Sequence, residues 1–202
     1  MILTPLDPVQ LPGLLECFDA GLAGDPVARA AFRRIAGTLS LAPGLRADLN
    51  AGRAKAVDLA RRLGIPIRDA DPADGFSWNG AFIAARSETS VVFHEIAHWQ
   101  IAPAARRRLF DFGLGAGPET GRIAAANAAR CADAATQEDE ENLASLLGIL
   151  WEAEHGEPAI IAFAEQNWLE LPKRAHTHRH FAHYVGRLAA RGLLPELFAR
   201  AA

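Results

Sequence analysis

The sequence predicts a mainly α-helical protein with a few short strands (α+β), one domain built around a buried metal-binding helix. Three observations lead there. The chain is rich in Ala, Leu and Arg and poor in β-branched residues, a composition that favours helix. Apolar residues recur at helical spacing along most of its length. Finally, Val91-Val92-Phe93-His94-Glu95-Ile96-Ala97-His98-Trp99 sets His-Glu-x-x-His among apolar residues on nearly every side, as in a buried helix.

Leu11 to Leu22 reads as a first amphipathic helix, with Leu14, Leu15, Phe18 and Leu22 on one face. Val27 to Ile35 reads as a second, and Arg46 to Leu63 as a third that Gly64 stops. Ile65 to Ile67 is a short extended piece, and Asp69 to Gly75 is rich in turn residues. Trp78 to Ala84 is a candidate strand. Ser87 or Ser90 can cap the motif helix, and Glu88 suits its first turn. Pro103 ends that helix or starts the next, through Arg106 to Phe110. The Gly and Pro residues from Gly113 to Gly121, Pro118 among them, read as a plain surface loop ahead of a substrate-contacting lid. Ile123 to Ala135 is Ala-rich and weakly patterned. Glu138 to Glu154 is a strong helix with Leu143, Leu146, Leu147 and Leu150 as its stripe. Pro158 opens a helix to about Trp168, and Pro172 opens the last, to about Arg191.

With 202 residues, half of them hydrophobic, a single domain, 1–202, has material for a good core. A net charge of -3 argues against bulk attraction to nucleic acid or to an anionic membrane. Cys17 and Cys131 make no disulfide framework, which points to a reduced cytoplasmic location. Met1 to Gln10 lacks the basic region of a secretory signal, and no apolar run is long enough to cross a bilayer.

Four residues make just over one helical turn, so His94 and His98 project from one face and can reach one metal ion. Glu95 sits beside that face, within reach of a metal-bound water. The bland alternative is a chance string on a core helix. A catalytic site generally takes a third protein ligand, and Gln137-Glu138-Asp139-Glu140-Glu141 offers candidates. Acidic residues at a helix N-terminus also answer the macrodipole alone. Glu141 shares a side with Ala144, Gly148 and Trp151, whose small members would let this helix approach the motif helix closely. Glu141 is therefore the preferred third ligand and Glu138 the runner-up.

His94-Glu95-Ile96-Ala97-His98-Trp99, Ile101-Ala102, Ala105-Arg106-Arg107 and Asp111-Phe112-Gly113 together resemble the signature of the elongation factor P hydroxylases. Glu138-Asp139-x-Glu141 is similar to that family's acidic ligand segment, and Leu147 to Pro158 resembles the family's next segment. The resemblance covers 76–158 as a family-like core, with 1–75 a divergent N-terminal helical part. It implies metal ligation by His94, His98 and Glu141, and hydroxylation of a modified lysine on elongation factor P. Two histidines and one carboxylate also form the ligand set of non-haem Fe(II) oxygenases, which take O2 as co-substrate. The family carries aromatic residues after its Asp-Phe-Gly. Here Leu114-Gly115-Ala116 stand instead, so a related protein substrate is an alternative target.

His176, His178, His180 and His183 lie near the end of the chain. His176, His180 and His183 would share a helical face, which reads as solvated surface ahead of a wall of the site. Arg106 to Arg108, with Lys173 and Arg174, read as solvated surface ahead of a docking patch for an acidic partner. Trp99 and Trp151 read as core packing. Two rival functions stand beside the hydroxylase. One is a zinc peptidase with Glu95 as general base, aligning a peptide on the strand from Trp78 to Ala84. The other is a metal-stabilised interaction domain with a fourth ligand such as His180.

Overall fold

The computed structural model describes residues 10–44, 49–72, 78–117, 120–169 and 176–195. The readings on residues 1–9, the start of the third helix at Arg46, the end of the stretch from Asp69 to Gly75, Pro118, Pro172, Lys173 and Arg174 lie outside those residues. In chain order the helices are α1 (Leu11–Gly21), α2 (Pro26–Ala36), α3 (Leu49–Arg62), α4 (Thr89–Ile101), α5 (Ile123–Ala129), α6 (Ala134–Glu154), α7 (Ala159–Glu165) and α8 (Thr177–Ala190). Two short strands, β1 (Ile67–Arg68) and β2 (Ile83–Ala84), pair in parallel, with Ile67 opposite Ile83. The protein is thus mainly helical with a minimal sheet. None of the described helices is long and apolar enough to cross a membrane. Cys17 and Cys131 are both free and exposed.

The contacts divide the chain into two compact units, Met1–Arg46 with Ile149–Ala202, and Ala47–Gly148. The first has an aromatic centre. Phe18, Phe32, Phe163 and Phe181 are all buried, with ring centroids 4.5–5.8 Å apart in the close pairs. The Asp25 carboxylate accepts from the Ala28 N–H and caps α2. Beyond α2 the chain tightens into a 3-10 segment, Gly37–Gly44. There the Thr38 hydroxyl donates to the Ile35 carbonyl and accepts from the Ile160 N–H, joining the segment to the start of α7.

In the second unit α3 packs along α4 and β2 leads into α4. The strand expected over Trp78 to Ala84 is only its last two residues. The Asn79 side chain accepts from the N–H groups of Ala81 and Phe82 and closes a turn in place of the strand's first half. Gly80 lies in the left-handed region (φ 82°), pressed so close to Arg108 that a Cβ would stand 2.8 Å from its carbonyl oxygen.

The motif helix starts differently from its expected cap. Glu88 is the N-cap residue and makes no side-chain cap bond, while Ser87 is buried. Nor does a helix run from Pro103 to Phe110. Two 3-10 turns, Arg106–Arg108 and Phe110–Gly113, take its place, the second broken by residues in left-handed conformation. The glycine-rich stretch beyond them is no plain surface loop at its start. Gly113, Leu114 and Gly115 are buried, the Gly113 carbonyl accepts from the N–H groups of Cys131 and Ala132, and the Asn127 amide oxygen accepts from the Ala116 N–H.

Candidate metal centre

α4 turns Val92, Phe93, Ile96 and Ala97 into the core, together with Glu95 and His98. His94 and His98 stand one turn apart on it, with their Nε2 atoms 2.9 Å from each other. The Glu141 Oε2 of α6 reaches both, 3.3 Å from His98 Nε2 and 3.7 Å from His94 Nε2. Atoms bound to one metal at about 2.0–2.2 Å stand roughly 3.0–3.5 Å from one another; one of the three separations falls in that range and the other two lie just outside it, so small side-chain shifts would let the three share an ion. Among the described residues these three side chains form the group able to hold a metal. Exposure is graded across it: the His98 side chain is 6 % exposed, His94 24 % and Glu141 43 %. The group is rooted in the core at His98 and open at Glu141.

Electrostatics favour an ionised His98–Glu141 pair when no metal is present. Burial works against the His98 imidazolium, but the Glu141 carboxylate outweighs it, with Glu95 and Asp111 adding to the field, and the group is pushed up to about 9. Desolvation likewise raises Glu141, yet the two neighbouring histidines, the His98 charge foremost, hold it well below the usual carboxylate range.

Two close approaches set the geometry. Where Gly148 of α6 meets α4, an added Cβ would stand 3.1 Å from His94 Cα and 3.2 Å from its backbone nitrogen. Glycine there lets α6 come near enough for Glu141 to reach both histidines. One residue before Glu141, Glu140 forms an ion pair with Arg106, which lies just past α4; both side chains are about nine-tenths buried. This pair fastens the turn after α4 to the ligand-bearing turn of α6. One atom at each end, Arg106 Nη1 and Glu140 Oε2, is buried with no hydrogen-bond partner among the described residues.

The remaining sequence candidates fall outside the group. Glu138 is exposed, and its backbone carbonyl accepts from the Asn142 amide. Glu95 is buried on α4, its charge acting on His98. His180 and His183 lie exposed on α8 in the other unit, with the His180 ring stacked on Trp168 at 5.3 Å. His176 is not on that helical face, because it is the N-cap residue of α8 with φ 69°. The arginine run is only in part the solvated surface expected of it: Arg108 is exposed. Arg106 is turned inward to Glu140, and Arg107 donates to the Ala102 carbonyl and lies over the Trp99 ring.

Sequence reasoning also passed over an aromatic stack. Trp78 lies on Phe112 (5.2 Å, 11° between planes) and Phe112 on His98 (5.4 Å, 19°). Only the Asp-Phe-Gly motif and the lone Trp78 hinted at it. No family model, curated protein or solved structure matches the chain.

Proposed function

We propose that this protein is a metal-dependent hydroxylase, with a non-haem ferrous site at His94, His98 and Glu141, acting on a modified lysine of elongation factor P or a related protein in the cytoplasm. The observation that carries the metal reading is the convergence of two imidazole nitrogens and one carboxylate oxygen within 3.7 Å, on two helices packed as closely as Gly148 allows. Support for the substrate comes only from the motifs that resemble those of the elongation factor P hydroxylases. A site with two histidines and one carboxylate leaves coordination positions for O2 and substrate. When bound, the metal supplies activation of O2. Overall, O2, a substrate C–H bond, two protons and two electrons from a separate donor would give a C–OH bond and water. The chain's own part is to hold the three donor atoms together, to shelter His98 from water and to leave the Glu141 side open to a protruding side chain. Glu95, buried beside His98, serves as a charge and proton partner rather than a ligand.

The test is the mass of elongation factor P after incubation with iron-loaded protein, O2 and a reductant. A gain of one oxygen atom on the modified lysine supports the reading, and an unchanged mass with active iron-loaded protein contradicts the substrate. One observation favours a zinc peptidase as second reading: Glu95 is buried on α4 with its charge acting on His98, and in that reading it would be the general base. The two-residue β2, already paired with β1, removes much of the strand that reading would use to align a peptide. Proteolysis of unfolded casein by the zinc-loaded protein, abolished by Glu95→Gln, would favour the peptidase.

A further inference from the structure

Asp111 and Phe112 have φ/ψ of 47°/37° and 52°/20°, and Gly113 comes next at φ 70°. Consecutive non-glycine residues in the left-handed region are rare, and they persist where the surroundings over-determine them. Here the surroundings do so. The Trp78 indole N–H donates to the Arg107 carbonyl at 2.9 Å, and the Trp78 carbonyl accepts from the Asp111 N–H at 2.9 Å. The Asp111 carboxylate accepts from the Thr120 hydroxyl at 2.7 Å. The corner delivers the Phe112 ring, 1 % exposed, nearly parallel to both the His98 imidazole and the Trp78 indole. A phenylalanine can fill an apolar core from ordinary backbone. What the corner adds is a flat surface that fixes the plane of one histidine, and with it the direction in which Nε2 points, toward His94 and Glu141. Groups that orient a ligand in this way tune metal binding without touching the metal.

We propose that Asp111 and Phe112, locked in a left-handed corner by Trp78, are positioning residues that aim His98 Nε2 at the metal. The inference rests on the metal reading of His94, His98 and Glu141. The test is titration of the full chain with Co2+ as probe, reading affinity and the visible ligand-field band, alongside thermal melting of the metal-free protein. Phe112→Leu keeps an apolar side chain and removes the flat ring; it should bind Co2+ about 10- to 100-fold more weakly, with a displaced band. Asp111→Asn suits the left-handed backbone, removes the charge and should weaken binding by about tenfold. Phe163→Leu, a buried phenylalanine in the other unit, should lower the melting temperature and leave Co2+ affinity and band as in wild type. If Phe112→Leu does not fold, Thr120→Val, which removes the hydroxyl that anchors the Asp111 carboxylate, decides in its place and should also weaken Co2+ binding and displace the band. Wild-type binding with unchanged affinity and band in the corner variants overturns the positioning role and leaves the metal reading intact. No Co2+ binding by the wild type overturns both.

Discussion

His98 is where protons and metal compete. With its folded-state group pushed up to about 9, it carries a proton at neutral pH that a metal must displace. Metal affinity should therefore rise by about tenfold per pH unit from about pH 7 to 9 and level off above it. Competition titrations with a chelator of known pH dependence will measure this slope, and a flat profile would contradict the pairing with Glu141. The same shift sets a sign for the metal-free protein. A group raised on folding stabilises fully below its unfolded value and loses that contribution as pH rises through the folded one. Glu141, held low, contributes above its ordinary value and loses this in acid. The gap in melting temperature between metal-loaded and metal-free protein should thus widen from pH 6 to 9.

The helices meet through contacts whose disruption has a calculable sign. Alanine is normally favoured over glycine inside a helix by about 1 kcal/mol. At Gly148 the added methyl would meet His94 backbone atoms, which cannot swing away. Overpacking of this kind costs about 1–3 kcal/mol, so Gly148→Ala should destabilise on balance and weaken metal binding by pushing Glu141 back. Denaturant unfolding and metal titration of the one variant check both. Arg106→Ala would leave the Glu140 carboxylate buried without its charge partner, a loss of about 3 kcal/mol for a pair as buried as this one. The double variant Arg106→Met with Glu140→Leu should recover most of that stability, because the desolvation penalty goes with the charges. Both contacts were half legible in the sequence. Gly148 stood out as a small residue facing the motif helix. Arg106 looked like one of three surface arginines, because nothing in a local run tells which member turns inward.

At the scale of the whole molecule, helices were readable because periodic apolar faces are local signals, and α1, α2, α6 and α7 lie close to where periodicity sets them. The misreadings came where a few side-chain bonds override a pattern. Asn79 and Gly80 cut the strand short, and extended Leu109 broke the helix expected through Arg106 to Phe110. The site showed the same division. His94 and His98 were given by a four-residue spacing, whereas the Trp78–Phe112 stack on His98 depends on a backbone corner that no propensity announces. The first unit carries its own titration. Glu152 is buried and raised to about 8 by desolvation, with the Glu157 and Glu165 charges adding to it. A carboxyl raised on folding loses stability as pH climbs from its unfolded value to the folded one. Glu152→Gln should therefore raise the melting temperature at pH 8 and leave it nearly unchanged at pH 4.5, a difference that thermal scans at the two pH values will read.

Whether His94, His98 and Glu141 hold a catalytic metal is decided by the metal content of protein purified without oxygen from its native host, for the wild type and for Glu141→Ala. About one iron per chain is expected in the wild type, with loss of that iron in the variant. Wild-type protein with no bound metal, or a variant that retains it in full, would contradict the site.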